Sequence, residues 1–94
     1  MSKRYLLIGA GGKTGESYAR LLQSHGHFVL WYDKNSEAKP VGLDVTRLEH
    51  VPPDALQWEK LKDRFDILTL TPGVPLNSAF ILKARDHGVT VISE

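Results

Sequence analysis

Short apolar runs alternate with amphipathic segments along this chain. Tyr5–Ile8, Phe28–Tyr32, Asp66–Leu70 and Val89–Ile92 are rich in β-branched, aromatic and leucine side chains. Phe28–Tyr32 is apolar at consecutive rather than alternating positions, the pattern of a strand buried on both faces of a parallel sheet. After the first run, apolar positions fall at Tyr18, Leu21 and Leu22 with Ala19 beside them. This predicts a helix from about Thr14 with that face inward. Gly26, following His25, ends it, because glycine takes the left-handed C-terminal conformation without a Cβ penalty. A second helix is predicted over 54–64, with Asp54 as N-cap after Pro52-Pro53 and with Leu56 and Leu61 on adjoining parts of its face. A third is capped by Asn77 or Ser78, turns Phe80, Ile81 and Ala84 inward and ends at His87-Gly88. The stretch from Pro40 to Pro53 carries Val41, Leu43, Val45, Leu48 and Val51, with room for one short strand whose register the pattern leaves open.

Strands alternating with helices through short turns make βαβ units, which force parallel pairing with right-handed crossovers. The predicted fold class is α/β: a Rossmann-like, doubly wound parallel sheet of four to five strands in a three-layer αβα arrangement, with residues 1–94 as a single domain. In such sheets ligands bind outside the carboxyl ends of the strands, near the point where strand order reverses. Three loops fall there: Gly9–Gly15, Asp33–Ser36 and Thr71–Pro75.

The first loop, Gly9-Ala10-Gly11-Gly12-Lys13-Thr14-Gly15, lies between a strand and a helix. Glycines there let the backbone turn sharply and bring helix N-terminal N–H groups onto an anion. Its spacing, G-x-G-x-x-x-G, relaxes the dinucleotide fingerprint by one residue, since Thr14 stands at the third glycine position and Gly15 follows it. A turn that only packs helix against sheet is the alternative. Gly12-Lys13-Thr14 also invites a Walker loop, but that motif needs glycine where Leu7 lies inside the strand. Asp33 closes the second strand, where an acid accepts hydrogen bonds from a ribose in dinucleotide-binding folds. Asp33-Lys34-Asn35-Ser36 is equally ordinary turn chemistry. Thr71-Pro72-Gly73-Val74-Pro75 is a stiff turn in which Gly73 can present a backbone N–H to a bound group.

Composition narrows the partners. Twelve Lys+Arg against eleven Asp+Glu leave a net charge of +1. No overall field therefore favours nucleic acid or an anionic membrane. No run approaches the roughly 20 apolar residues of a membrane span. The absence of cysteine removes disulfides, thiolate nucleophiles and thiolate metal sites, and is compatible with a cytoplasmic setting. His25 and His87 precede glycines at helix ends, a capping pattern. Neither a Ser-His-Asp set nor a metal cluster can be assembled from the spacing, so no residue is assigned a catalytic or metal-ligating role.

Taken in order, Leu6 to Gly15, Asp33, Thr71-Pro72-Gly73-Val74 and Val91-Ile92-Ser93-Glu94 resemble the N-terminal domain of the Mur ligases. The resemblance is to the branch that adds D-glutamate, and it covers essentially the whole chain. It implies a Rossmann-like domain that binds the UDP moiety of a UDP-N-acetylmuramoyl precursor rather than NAD. Gly11, Gly12, Lys13 and Thr14 would meet the diphosphate. Asp33, Lys34 and Asn35 would surround uracil and ribose, and Thr71, Pro72 and Gly73 would wall the pocket. The resemblance places ATP, magnesium and the chemistry of peptide-bond formation in other domains of a longer parent, with no cofactor in this segment. The chain departs from the family pattern twice. Its glycine loop is one residue longer, and Asn35 stands where family members often carry arginine. The other readings are a free-standing NAD(P)-binding module, with Asp33 on an adenosine ribose, and an interaction domain that keeps the glycine loop for packing.

Overall fold

The computed structural model describes residues 3–9, 11–35, 40–72, 74 and 78–93. Among these residues five strands form one sheet, all parallel: β1 (Arg4–Ile8), β2 (Phe28–Tyr32), β3 (Leu48–His50), β4 (Ile67–Leu70) and β5 (Thr90–Ser93), in the order β3-β2-β1-β4-β5. β1 lies at the centre, with Leu7 opposite Trp31 of β2 and Thr69 of β4. The helices are α1 (Lys13–Ser24), α2 (Trp58–Leu61) and α3 (Ala79–Asp86). This is the Rossmann-like architecture expected, with five strands.

Successive strand residues face opposite sides of the sheet, and two cores result. On one face Leu7, Val29 and Trp31 pack with Ala19 and Leu22 of α1. On the other, Leu6, Ile8, Leu30, Leu68 and Leu70 meet Trp58 and Leu61 of α2 and Phe80, Ile81 and Ala84 of α3. Full burial of each such aliphatic side chain contributes about 1.5–3 kcal/mol. Trp58 sets its edge against Phe65 and Phe80, with ring centroids 6.2 and 6.1 Å away.

Two expectations are corrected. No continuous helix spans 54–64 and Asp54 does not cap one: a single 3-10 turn at Pro53–Ala55 precedes α2, whose N-cap is Gln57. Leu56 and Trp58 both pack toward the same core, whereas in a continuous helix residues i and i+2 are rotated by about 200° and face nearly opposite sides. The break allows both to turn inward. In α1 the buried residues are Gly15, Ala19, Leu22 and Gln23, while Leu21 is exposed. The face is rotated because the Gln23 carboxamide points inward. Its Nε2 donates to Asp44 O (2.9 Å) and Arg47 O (3.1 Å), and its Oε1 accepts from Asp44 N–H (2.8 Å). Between β2 and β3 the described residues hold only a one-turn 3-10 helix, Val45–Arg47, and Val41 and Val45 are exposed. That crossover is tied to α1 by polar contacts: Glu16 Oε1 accepts from Val41 N–H at 2.9 Å, and Gln23 holds Asp44. Ser78 caps α3, its Oγ accepting from Ile81 N–H at 3.5 Å; Asn77 lies outside the described residues. Gly26 and Gly88 follow the C-caps His25 and His87 with φ of 84° and 81°, the expected left-handed stops.

Candidate functional site

The carboxyl ends of β1, β2 and β4 open onto a cleft of about 580 Å³. The sheet order makes this crevice. After β1 the chain leaves for α1 on one face, and after β4 it leaves for α3 on the other, so the two connections diverge. Ile8 and Gly9 form the floor beside Tyr32, Asp33 and Lys34. The first turn of α1, from Gly12 to Gly15, makes one wall. Thr71, Pro72 and Val74 make the other, with Leu56, Ser78 and Ile81 completing the α3 side.

The glycines of the first loop have different reasons for being glycine. Gly9 has φ +91°, and a Cβ on it would stand 2.0 Å from Thr71 Oγ1. Two loops are in contact at this point. Gly9 N–H donates to Tyr32 O (2.8 Å) and Thr71 N–H to Ile8 O (3.1 Å). The Thr71 hydroxyl lies 3.3 Å from Gly9 O and 3.4 Å from Ile8 O. Gly12, by contrast, has φ −90°, and a Cβ on it would meet nothing within 4 Å. As N-cap of α1 it has no side chain with which to cap the helix, and none is supplied by the described residues. The first intrahelical bond runs from Glu16 N–H to Gly12 O at 2.9 Å. The N–H groups of Lys13, Thr14 and Gly15 precede it and have no such partner. They give the cleft a cluster of donors at the positive end of the helix dipole.

Charge in the cleft comes from Lys13, Lys34 and Asp33. The acid of the first turn, Glu16, is engaged elsewhere, with Arg20 Nη2 at 3.6 Å and Val41 N–H at 2.9 Å. Asp33 joins the first two loops: Gly11 N–H donates to its Oδ2 (2.8 Å) and Asn35 N–H to its Oδ1 (2.9 Å). The carboxyls held below their ordinary range lie outside the cleft. Asp66, at the amino end of the sheet, is lowered chiefly by the Arg4 backbone N–H and then by its guanidinium. Asp44 is lowered by the Thr46 hydroxyl and N–H and by Arg47.

Of the residues singled out in the sequence, Gly12, Lys13, Thr14, Asp33, Lys34, Thr71 and Pro72 line this one cleft. Gly11 and Asn35 sit just behind it, on Asp33. Gly73 and Ser36 lie outside the described residues. Val74, which also lines the cleft, lies in the turn that the sequence placed at the site, whereas sequence reading missed Ile8, Tyr32, Leu56, Ser78 and Ile81. All but Ser78 are apolar or aromatic residues that read as core. Their signal was position, at the carboxyl end of a strand or just beyond the loops. Among the described residues no group of three or more His, Cys, Asp or Glu side chains could hold a metal ion, and no helix is long and apolar enough to cross a membrane.

No family model matches the chain. Curated relatives do, under the name UDP-N-acetylmuramoylalanine--D-glutamate ligase. That of Caldicellulosiruptor saccharolyticus is 33% identical over 96 residues, covering 98% of this chain and 21% of its own length. That of Streptococcus gordonii is 33% identical over 97 residues, covering 99% and 21%. The protein of Geobacillus kaustophilus is 33% identical over 100 residues, covering 98% and 21%. The chain thus spans about a fifth of the length of these relatives. Over nearly its whole length it is a relative of the N-terminal domain of the Mur ligases, in the branch those names describe.

Proposed function

We propose that residues 1–94 are the domain of a D-glutamate-adding ligase that binds the UDP moiety of UDP-N-acetylmuramoyl-L-alanine. The observation that carries this reading is the uncapped start of α1 opening into a cleft lined by both charged and apolar groups. Lys13, Thr14 and the first-turn N–H groups offer a diphosphate charge and donors without any basic surface. Ile8, Tyr32, Leu56, Val74 and Ile81 offer the apolar flanks that a planar base requires. Lys34 and Asn35 then stand near the ribose and uracil, and Thr71 and Pro72 wall the pocket. The names of the relatives supply the muramoyl precursor and the amino acid.

In this reading ATP, magnesium and bond formation belong to other parts of a longer protein. Leu7 occupies the glycine position that a Walker loop would need, so no ATP-dependent step is assigned to these residues. A second reading, an NAD(P)-binding module, shares the glycine loop and the acid after β2. Backbone amide NMR with UDP and NADH titrated separately distinguishes them. Shifts at Lys13, Thr14, Gly15, Lys34 and Thr71 with UDP are the expected result. Shifts with NADH alone overturn the ligase reading.

A further inference from the structure

We infer that Asp33 is a positioning residue for the phosphate-binding turn, acting through the glycine loop rather than as a free acceptor for ribose or base. The inference rests on the nucleotide-binding reading above and deepens it. Both carboxylate oxygens of Asp33 already accept a backbone N–H. Oδ2 takes Gly11, across 22 residues of sequence, and Oδ1 takes Asn35. Each is a charge-assisted bond, about twice as strong as a neutral one. The Gly11 N–H therefore points at Asp33, and the donors left for an anion are those from Gly12 onward into α1.

What this clamp controls follows from the composition of the turn. Three of the four residues from Gly9 to Gly12 are glycine, and glycine has the widest backbone freedom of any residue. Gly9 is fixed by its N–H bond to Tyr32 O and by its contact with Thr71. Gly12 is fixed by the start of α1. Gly11 lies between these two anchors, and its bond to Asp33 sets the direction in which the chain enters the helix. Without that bond the turn has to be ordered by the ligand, which weakens binding. The groups that suffer are the phosphate donors. A free Asp33 bonded to ribose or base would act on the nucleoside instead.

Pyrophosphate separates the two roles, because it has no nucleoside to touch. Affinities for pyrophosphate, UDP and uridine are measured for the chain, for Asp33→Asn and for Asp33→Ala, with melting temperatures and the Gly11 amide resonance. Both variants remove the charge, but only asparagine keeps an acceptor oxygen, so their difference isolates the hydrogen bond from the electrostatics. The expected result is a loss of pyrophosphate and UDP affinity of about tenfold in Asp33→Ala, with a smaller loss in Asp33→Asn. The Gly11 amide proton should shift upfield in Asp33→Ala, with melting changed by only a few degrees. Should Asp33→Ala unfold, Asp33→Asn against the unchanged chain separates the two roles in the same way. Pyrophosphate binding that is unchanged or tighter in both variants while UDP binding falls overturns the inference and makes Asp33 a nucleoside ligand. Binding of pyrophosphate with the expected losses but no binding of UDP keeps the clamp and removes the UDP reading. If the unaltered chain binds neither, both fall.

Discussion

Gly9→Ala is a severe single-methyl change in this fold, and its cost divides into two parts that can be measured apart. The first is backbone strain. At φ +91° a residue with a Cβ is outside its favoured regions, at a cost of about 1–3 kcal/mol. The second is steric. The new methyl would stand 2.0 Å from Thr71 Oγ1, 3.3 Å from Thr71 Cβ and 3.2 Å from Val74 Cγ2. Thr71 is buried against the end of β1, so its hydroxyl can move only by giving up its contacts with Ile8 O and Gly9 O. Overpacking of this kind costs about 1–3 kcal/mol. The two parts total about 2–6 kcal/mol, against roughly 5–14 kcal/mol for a whole domain of this size.

Most of the steric part is relieved in a Thr71→Ala background, because the atom at 2.0 Å is gone and the contacts left, at 3.2 and 3.3 Å, need shifts of only a few tenths of an ångström. The strain stays. A double-mutant cycle by urea denaturation, followed by far-ultraviolet circular dichroism, should give a coupling of about 1–3 kcal/mol, with Gly9→Ala milder in the second background. Thr71→Ser retains the oxygen and should give far less relief. Equal cost of Gly9→Ala in all three backgrounds would refute the contact, and a cost below about 1 kcal/mol would refute the strain as well.

Three further outcomes follow from the structure. Thr69 is fully buried in β4, and its hydroxyl is without a hydrogen-bond partner among the described residues; Thr69→Val should stabilise by about 1–2 kcal/mol in the same assay, and destabilisation would mean an unseen partner. Gln23→Leu keeps the bulk but leaves Asp44 N–H, Asp44 O and Arg47 O without the carboxamide; a loss of about 2–4 kcal/mol is expected, with faster amide exchange at Asp44, and a neutral result would show that water replaces it. Asp66 has its carboxyl pKa lowered by Arg4, so its contribution is complete above the unfolded value near 3.9 and is lost as pH falls through the lower folded value. With side chains 47% and 45% exposed, solvent screening keeps that contribution below about 1 kcal/mol. Asp66→Asn should flatten the stability profile below about pH 4 and leave its slope near neutrality unchanged.

Strands were legible where burial demanded a single kind of residue. β2 is apolar or aromatic at every position because its neighbours on both sides and helices on both faces exclude water from most of it, and Phe28–Tyr32 was bounded without error. β3 was not, because a three-residue edge strand needs little of its sequence. The helix expected over 54–64 failed for a tertiary reason: Leu56 and Trp58 are drawn to one core that a regular helix could not offer both. Gln23 reads as a polar outer residue of α1. Its partners are backbone groups about twenty residues away, and no side-chain pattern announces a bond to a carbonyl or an N–H. The same is true of Asp33. Its position after β2 marked it for the site, but spacing could not distinguish an acid aimed at a ligand from one bonded to the turn beside it.

That ambiguity explains why the near-neutral charge does not weaken the case for an anionic ligand. A net charge of +1 excludes attraction by the whole molecule, yet a diphosphate responds to the few groups within reach of it. In the cleft these are two lysines, the open end of α1 and one carboxylate. An unbonded Asp33 would set a full negative charge against the ligand with nothing to offset it. Holding two backbone N–H dipoles, it faces the glycine loop, and its charge is met in part by the groups it organises. Glu16, the other nearby acid, is turned to Arg20 and Val41 in the same way. Two acids beside a phosphate-binding turn are thus consistent with anion recognition, because each is committed to fixing a segment of backbone that shapes the cleft.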